Sequence, residues 1–82
     1  MATKEETMNV TIYSTPNCAP CHTLKYLLKK KNIPFEVKDI TELKNLNELR
    51  QYTDLTSVPL TLVKGQIVQG TKVSKIKELY EA

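Results

Sequence analysis

Cys18 and Cys21 are the chain's two cysteines, and they stand three positions apart where a short alternating apolar stretch gives way to a helical pattern. A pair this close closes too small a loop to restrain the unfolded chain much, so a Cys18–Cys21 disulfide is chemical rather than structural. The stability of the 82-residue chain must then come from its core. If Pro20 opens the helix, Cys18 sits at its N-terminus, where unpaired backbone N–H groups and the positive end of the macrodipole favour a thiolate over a thiol. A lowered pKa makes Cys18 the nucleophile. Cys21, one turn later, is near enough to bridge to Cys18 and is shielded by the preceding turn, which suits a resolving thiol.

The surrounding pattern says what kind of fold holds this pair. Asn9 to Ser14 alternates, with Val10 and Ile12 on one face and Thr11 and Tyr13 on the other, and reads as a strand. From Pro20 to Lys31, Leu24, Leu27 and Leu28 share a helical stripe that Asn32-Ile33-Pro34 ends. Phe35 to Asp39 alternates again, so the first half is a βαβ unit with a right-handed crossover and parallel strands. Thr41 is placed to cap a second helix carrying Leu43, Leu46, Leu49 and Tyr52. Pro59 to Val63 and Gln66 to Gln69 flank the turn pair Lys64-Gly65, a hairpin signal. Val73, Ile76, Leu79 and Tyr80 mark a C-terminal helix with one apolar face. The expected class is α/β, in the order β-α-β-α-β-β-α, and Cys-x-x-Cys beside a βαβ unit suggests a thioredoxin-like redox motif.

At 40% apolar the chain makes one small domain. The opening segment is polar and carries Glu5 and Glu6, unlike a secretory h-region, and no later stretch reaches the roughly 18 apolar residues of a membrane span. The expectation is a soluble, cytoplasmic monomer, and in that compartment a lone Cys-x-x-Cys is catalytic or metal-binding rather than structural. The net charge of +3 does not point to nucleic acid, because the basic residues are not interleaved with aromatics and no recognition motif accompanies them. Lys29-Lys30-Lys31 lies where the first helix should end and complements its dipole, though the same run could steer an acidic protein partner.

Two segments carry a family resemblance. Tyr13-Ser14-Thr15-Pro16-Asn17-Cys18 followed by Cys21, together with Ser57-Val58-Pro59, resembles glutaredoxins and, more closely, the glutaredoxin-like redoxins that serve ribonucleotide reductase. The resemblance covers residues 9–82 as a glutaredoxin-like domain and leaves residues 1–8 as an N-terminal extension. It implies a thioredoxin-like fold with a four-stranded mixed sheet flanked by helices. It also implies a cis Val58–Pro59 peptide beside the cysteines, and a groove formed by Val58, Pro59, Gly70 and Thr71 that receives a substrate backbone. The implied activity is dithiol–disulfide oxidoreduction of protein disulfides through a Cys18–Cys21 cycle, with ribonucleotide reductase as client. No bound cofactor or metal is implied beyond the redox-active disulfide.

Departures from the family pattern leave the electron donor open between thioredoxin reductase and glutathione. Glutathione-using members carry a lysine shortly before the first cysteine, Pro-Tyr between the two, and Gly-Gly-x-Asp before the last helix; here those places read Thr15, Ala19-Pro20 and Gly70-Thr71-Lys72-Val73. The ribonucleotide reductase redoxins carry Trp-Ser-Gly-Phe-Arg-Pro at the last of these places, of which Gly70 alone is kept. Pro20 matches thioredoxin, removes one N–H from the thiolate's surroundings and leads us to expect a reductant, with a potential of roughly −270 to −200 mV. Other readings of the same residues are a glutathione-dependent glutaredoxin, a zinc or iron–sulfur module, and a c-type haem site through Cys18-x-x-Cys21-His22. His22 is read as a partly exposed helix residue, Tyr13 as strand packing, and Asp39 and Glu42 as helix-start charges.

Overall fold

The alternation at the start of the chain places Val10 and Ile12 against one layer and Tyr13 against another, and the architecture follows from that division. A computed structural model describes residues 10–81, so the expected extension over residues 1–8, and Asn9 as the start of the first strand, lie outside the described residues. The elements are β1 (Val10–Ser14), α1 (Ala19–Lys30), β2 (Glu36–Asp39), α2 (Leu43–Arg50), β3 (Leu60–Val63), β4 (Gln66–Gln69) and α3 (Val73–Glu81). The sheet order is β2-β1-β3-β4, parallel between β1 and β2 and antiparallel elsewhere, so the fold is α/β with a mixed four-stranded sheet, in the element order expected.

Val10, Ile12, Val63 and Val68 form one face of the sheet and are covered by Leu24 and Leu28 of α1 and by Val73 and Ile76 of α3. Tyr13 and Leu60, opposite each other in register, form the other face with Leu49 of α2. Each large side chain buried in these layers contributes roughly 1.5–3 kcal/mol over leaving it in water. The β3–β4 hairpin closes through Lys64 at φ 50° and Gly65 at φ 83°, the two left-handed positions that a two-residue turn of this twist requires.

Local sequence sets both ends of α1. Cys18 is its N-cap, and the buried residues Cys21, Leu24 and Leu28 fall on one stripe. At the other end Asn32 adopts φ 58°, its N–H donates to the Lys29 carbonyl at 3.1 Å, and the Ile33 N–H donates to the Leu28 carbonyl at 3.0 Å. That is a Schellman termination, with buried Ile33 in the same apolar cluster as Leu28.

The second helix corrects two expectations. Glu42, not Thr41, occupies its N-cap and makes no side-chain cap bond. Thr41 is drawn back instead: its N–H and hydroxyl donate to Asp39 Oδ1 at 2.9 and 2.7 Å, closing a turn at the end of β2. Leu43 is 68% exposed, Leu46 is half-buried, and Tyr52 lies exposed beyond the helix. A three-residue spacing falls about 60° short of a full turn at each step, so Leu43 winds off the face that Leu49 occupies. Asn45, four residues before Leu49, is buried in its place, and its Nδ2 donates to the Asp39 carbonyl at 2.9 Å.

One polar network ties α2 to the sheet. Tyr13 is fully buried, as strand packing requires, and its hydroxyl donates to Glu48 Oε2 at 3.0 Å. Lys38, the register partner of Tyr13 on β2, donates to both Glu48 oxygens at 2.9 Å. Burial, followed by the hydrogen bond to Glu48, raises the Tyr13 phenol above its ordinary range. The Lys38 hydrogen bond holds the Glu48 carboxyl below the usual carboxylate value, and Glu48 in turn raises Lys38.

The pH dependence has a definite sign. Glu48 has a lowered folded-state pKa, so its contribution is full above the unfolded carboxylate value and fades as pH falls through the folded one. Glu48→Gln is expected to destabilise the protein at pH 7 by about 1 kcal/mol in urea unfolding. That difference should shrink steadily below about pH 4.5, the unperturbed carboxylate value. A difference that stays constant into acid would show that Glu48 acts through packing alone.

Candidate active site

Four chain segments converge at one end of the sheet. Strand β1 ends at Ser14 and leads into the loop that carries Cys18; the Ser14 carbonyl accepts the Ile40 N–H at 2.9 Å, which brings the end of β2 alongside. Antiparallel pairing of Tyr13 with Leu60 puts Pro59 at the same end, and pairing of Leu60 with Gln69 brings Gly70 beside it. The Gly70 N–H donates to the Pro59 carbonyl at 2.9 Å. Sheet register therefore gathers residues that are up to 52 positions apart between Cys18 and Gly70.

At α1, Ala19 takes the first helical position and Pro20 the second, one residue deeper than the sequence suggests, while Cys18 is the cap. Cys18 adopts φ −102° and ψ 105°, and its Sγ accepts the Cys21 N–H at 3.1 Å. Sulfur here does what a serine or aspartate oxygen does at an ordinary N-cap. The first turn of α1 contains no acidic residue, so no carboxylate of that turn opposes negative charge on Sγ. Cys18 and Cys21 are joined by a disulfide with Cα atoms 5.2 Å apart. Cys18 retains 7% exposure and Cys21 1%, so Cys18 is the outer residue of the pair.

The remaining expected site residues divide by exposure. The Val58–Pro59 peptide is cis, with Val58 half-buried and Pro59 buried. Gly70 sits at φ 83°, a conformation that side chains other than glycine's rarely adopt, and a β-carbon there would meet nothing within 4 Å, so the surface above it is open. Thr71 is exposed, and its carbonyl accepts the Val73 N–H at 2.8 Å at the entry to α3. His22 is exposed on α1. Among the described residues no group of three or more His, Cys, Asp or Glu is arranged to hold a metal ion.

Sequence reading did not find the Tyr13–Glu48–Lys38 network or the Gly70–Pro59 hydrogen bond. Both join residues from separate elements, and Tyr13 and Glu48 are 35 positions apart, so no local spacing signals them.

The family model for glutaredoxin matches residues 10–68. A glutaredoxin-like protein of 8.6 kDa encoded in the rubredoxin operon of Clostridium pasteurianum is 36% identical over 73 residues, covering 88% of this chain and 97% of that protein. Among solved structures, a thioredoxin-like protein is 30% identical with a TM-score of 0.75, over 85% of this chain and 97% of its own. The NrdH-redoxin of Escherichia coli, described as a glutaredoxin-like protein with a thioredoxin-like activity profile, superposes with a TM-score of 0.75. It is 21% identical over 92% of this chain and 99% of its own, a likeness of fold.

In the reduced protein, iodoacetamide is expected to label Cys18 about tenfold faster than Cys21, because Cys18 is the helix cap and the more exposed residue of the two. Peptide mapping by mass spectrometry after short exposure measures this directly. Equal labelling of the two would remove the distinction between them.

Proposed function

The chain belongs to the glutaredoxin family, and from that premise we propose that it reduces disulfides in partner proteins by a Cys18–Cys21 dithiol cycle, with ribonucleotide reductase as its client. The single observation that carries this reading is the cysteine pair at the head of α1, with Cys18 capping the helix and Cys21 beneath it.

The Cys18 thiolate attacks one sulfur of the partner's disulfide. That S–S bond breaks, the other partner sulfur leaves as a thiolate that takes a proton, and a mixed disulfide forms at Cys18. Cys21, having lost its proton, then attacks Cys18 Sγ. The second partner thiol is released and the Cys18–Cys21 disulfide remains. Two electrons have passed to the partner, and an upstream reductase restores the dithiol by the reverse exchange. The helix N-terminus favours Cys18 both as the attacking thiolate and as the thiolate that leaves when the pair is reopened. The partner's backbone is held in the groove of Val58, Pro59, Gly70 and Thr71, where Gly70 leaves the surface open and Pro59 contributes no N–H.

Ribonucleotide reductase as client is supported by the likeness of the Tyr13–Cys18 and Ser57–Pro59 segments to redoxins of that system, and by a fold shared with NrdH-redoxin. Thioredoxin reductase is the favoured donor, since the charged groups that recognise glutathione in its users are replaced here by Thr15 and Gly70-Thr71-Lys72-Val73. Among the described residues no helix is long and apolar enough to cross a membrane; that the protein works as a cytoplasmic monomer is part of the proposal.

Two experiments test this reading. Cys18→Ser should bring disulfide reduction down to the uncatalysed rate, whereas Cys21→Ser should accumulate a mixed disulfide visible on non-reducing gels; equal trapping by both variants would undo the assigned roles. NADPH oxidation by the oxidised protein should proceed with thioredoxin reductase and not with glutathione plus glutathione reductase. Turnover through glutathione would make the protein a glutathione-dependent glutaredoxin.

A further inference from the structure

The active-site helix carries a charge pattern that the redox cycle does not use. Between Glu6 and Glu36 the chain has no acidic residue, yet it holds His22, Lys25, Lys29, Lys30 and Lys31. The other eight basic residues are outnumbered by the nine acids, so this stretch supplies all of the chain's net charge of +3.

At 3.6 residues per turn, His22, Lys25, Tyr26, Lys29 and Lys30 fall within one stripe of α1, opposite the buried Cys21, Leu24 and Leu28. All are exposed except half-buried Lys25, and Tyr26 is 60% exposed with Lys30 Nζ 5.6 Å from its ring centroid. The ion pairs among the described residues are Lys38–Glu48 and Lys77–Glu81, and neither involves α1. Complementing the helix dipole accounts for Lys29 and Lys30 in the last turn. It accounts neither for Lys25 nearer the N-terminus nor for a solvent-facing tyrosine set among cations. Exposed aromatic and cationic side chains in one patch are what a binding surface for an anionic partner requires.

We propose that this stripe docks protein partners whose disulfide is flanked by acidic side chains, aligning them along α1 so that the disulfide meets Cys18. The proposal rests on the disulfide-reducing function above and names the chemical class of its substrate. The stripe starts at His22, next to Cys21, and runs away from the site, so an occupant lying along it has one end at the cysteine pair. That placement serves a partner bearing a disulfide and does nothing for a nucleic acid. From Cys18 to Lys30 the helix rises about 18 Å, a distance that five or six extended residues of a partner span.

The test uses reduced protein in single-turnover stopped flow with two synthetic peptide disulfides of equal length. One carries Glu and the other Lys at roughly four to seven positions from the cysteine, and bis(2-hydroxyethyl) disulfide serves as a neutral reference. At low ionic strength the Glu peptide should react about fivefold faster than the Lys peptide, with the ratio approaching one in about 0.5 M salt. Lys29→Glu combined with Lys30→Glu should invert the ratio. Lys75→Glu combined with Lys77→Glu, the same change in net charge placed on α3, should preserve it. Equal shifts by the two double variants would overturn the stripe in favour of net charge. A ratio of one in the wild type, together with Tyr26-dependent binding of a labelled single-stranded oligonucleotide, would overturn it in favour of nucleic acid. Failure to reduce even the neutral disulfide would instead defeat the disulfide-reducing function on which the proposal stands.

Discussion

The hydrogen bond from the Cys21 N–H to Cys18 Sγ, 3.1 Å long, couples the start of α1 to the chemistry of the site. An N-cap needs an acceptor for an N–H that the helix leaves unpaired, and here the acceptor is the sulfur that the proposed cycle uses as nucleophile. Positioning that sulfur requires α1 to meet the sheet at a set angle, which Leu24 and Leu28 secure by packing on Val10 and Ile12. The Schellman termination at Asn32 then turns the chain back into β2 beside β1. A loosened core under α1 would therefore be felt first at the cap, where a small rotation moves the N–H away from the sulfur.

The sheet separates dry packing from polar packing. Beneath α1 and α3 the contacts are mostly aliphatic, with Phe35 and Tyr80 packed against them, so the cysteine end of α1 rests on a layer with low local dielectric and no buried carboxylate among the described residues. Beneath α2 lies the Tyr13–Glu48–Lys38 network, in which a buried phenol shares a carboxylate with a lysine from the neighbouring strand. Placing Glu48 on the α2 side keeps its charge across the sheet from α1, where a carboxylate near Sγ would raise the thiol pKa and weaken the nucleophile. Thr61, in register with Ile12 on the aliphatic side, is fully buried with a hydroxyl that has no hydrogen-bond partner. Its hydroxyl is an unpaired polar group in that layer, and a valine would fill the same space without it.

Sequence made the fold legible wherever one local rule decided the outcome. The period-2 alternation of Val10 to Ser14, the helical stripe of Leu24 and Leu28, the Lys64-Gly65 turn and the apolar face of Val73 and Ile76 each specify their element without help from distant residues. The Cys18–Cys21 pair was legible for the same reason, since three positions at a helix start bring the sulfurs together. Around α2 that clarity is lost. Asp39 competes with the helix for the Thr41 hydroxyl, and Asn45 faces inward because it satisfies the Asp39 carbonyl, which outweighs its polarity. Both outcomes depend on where β2 ends relative to α2, which spacing along the chain does not encode. The neighbourhood of Pro59 and Gly70 was legible through family likeness, and the hydrogen bond that joins them depends on sheet register.

Charge distribution separates the two requirements that a small redox protein must reconcile. A thiolate at a helix N-terminus is favoured when acids are kept away from it, and α1 meets that requirement along its whole length rather than only in its first turn. Exposed lysines that far from the sulfur are screened from it by solvent and salt, so they add little to thiolate stability. Their effect falls on whatever approaches the helix from outside. The acid-free surface thus acts at two ranges: close to Cys18 it favours the anionic sulfur, and further along α1 it selects which partners bring their disulfides to it.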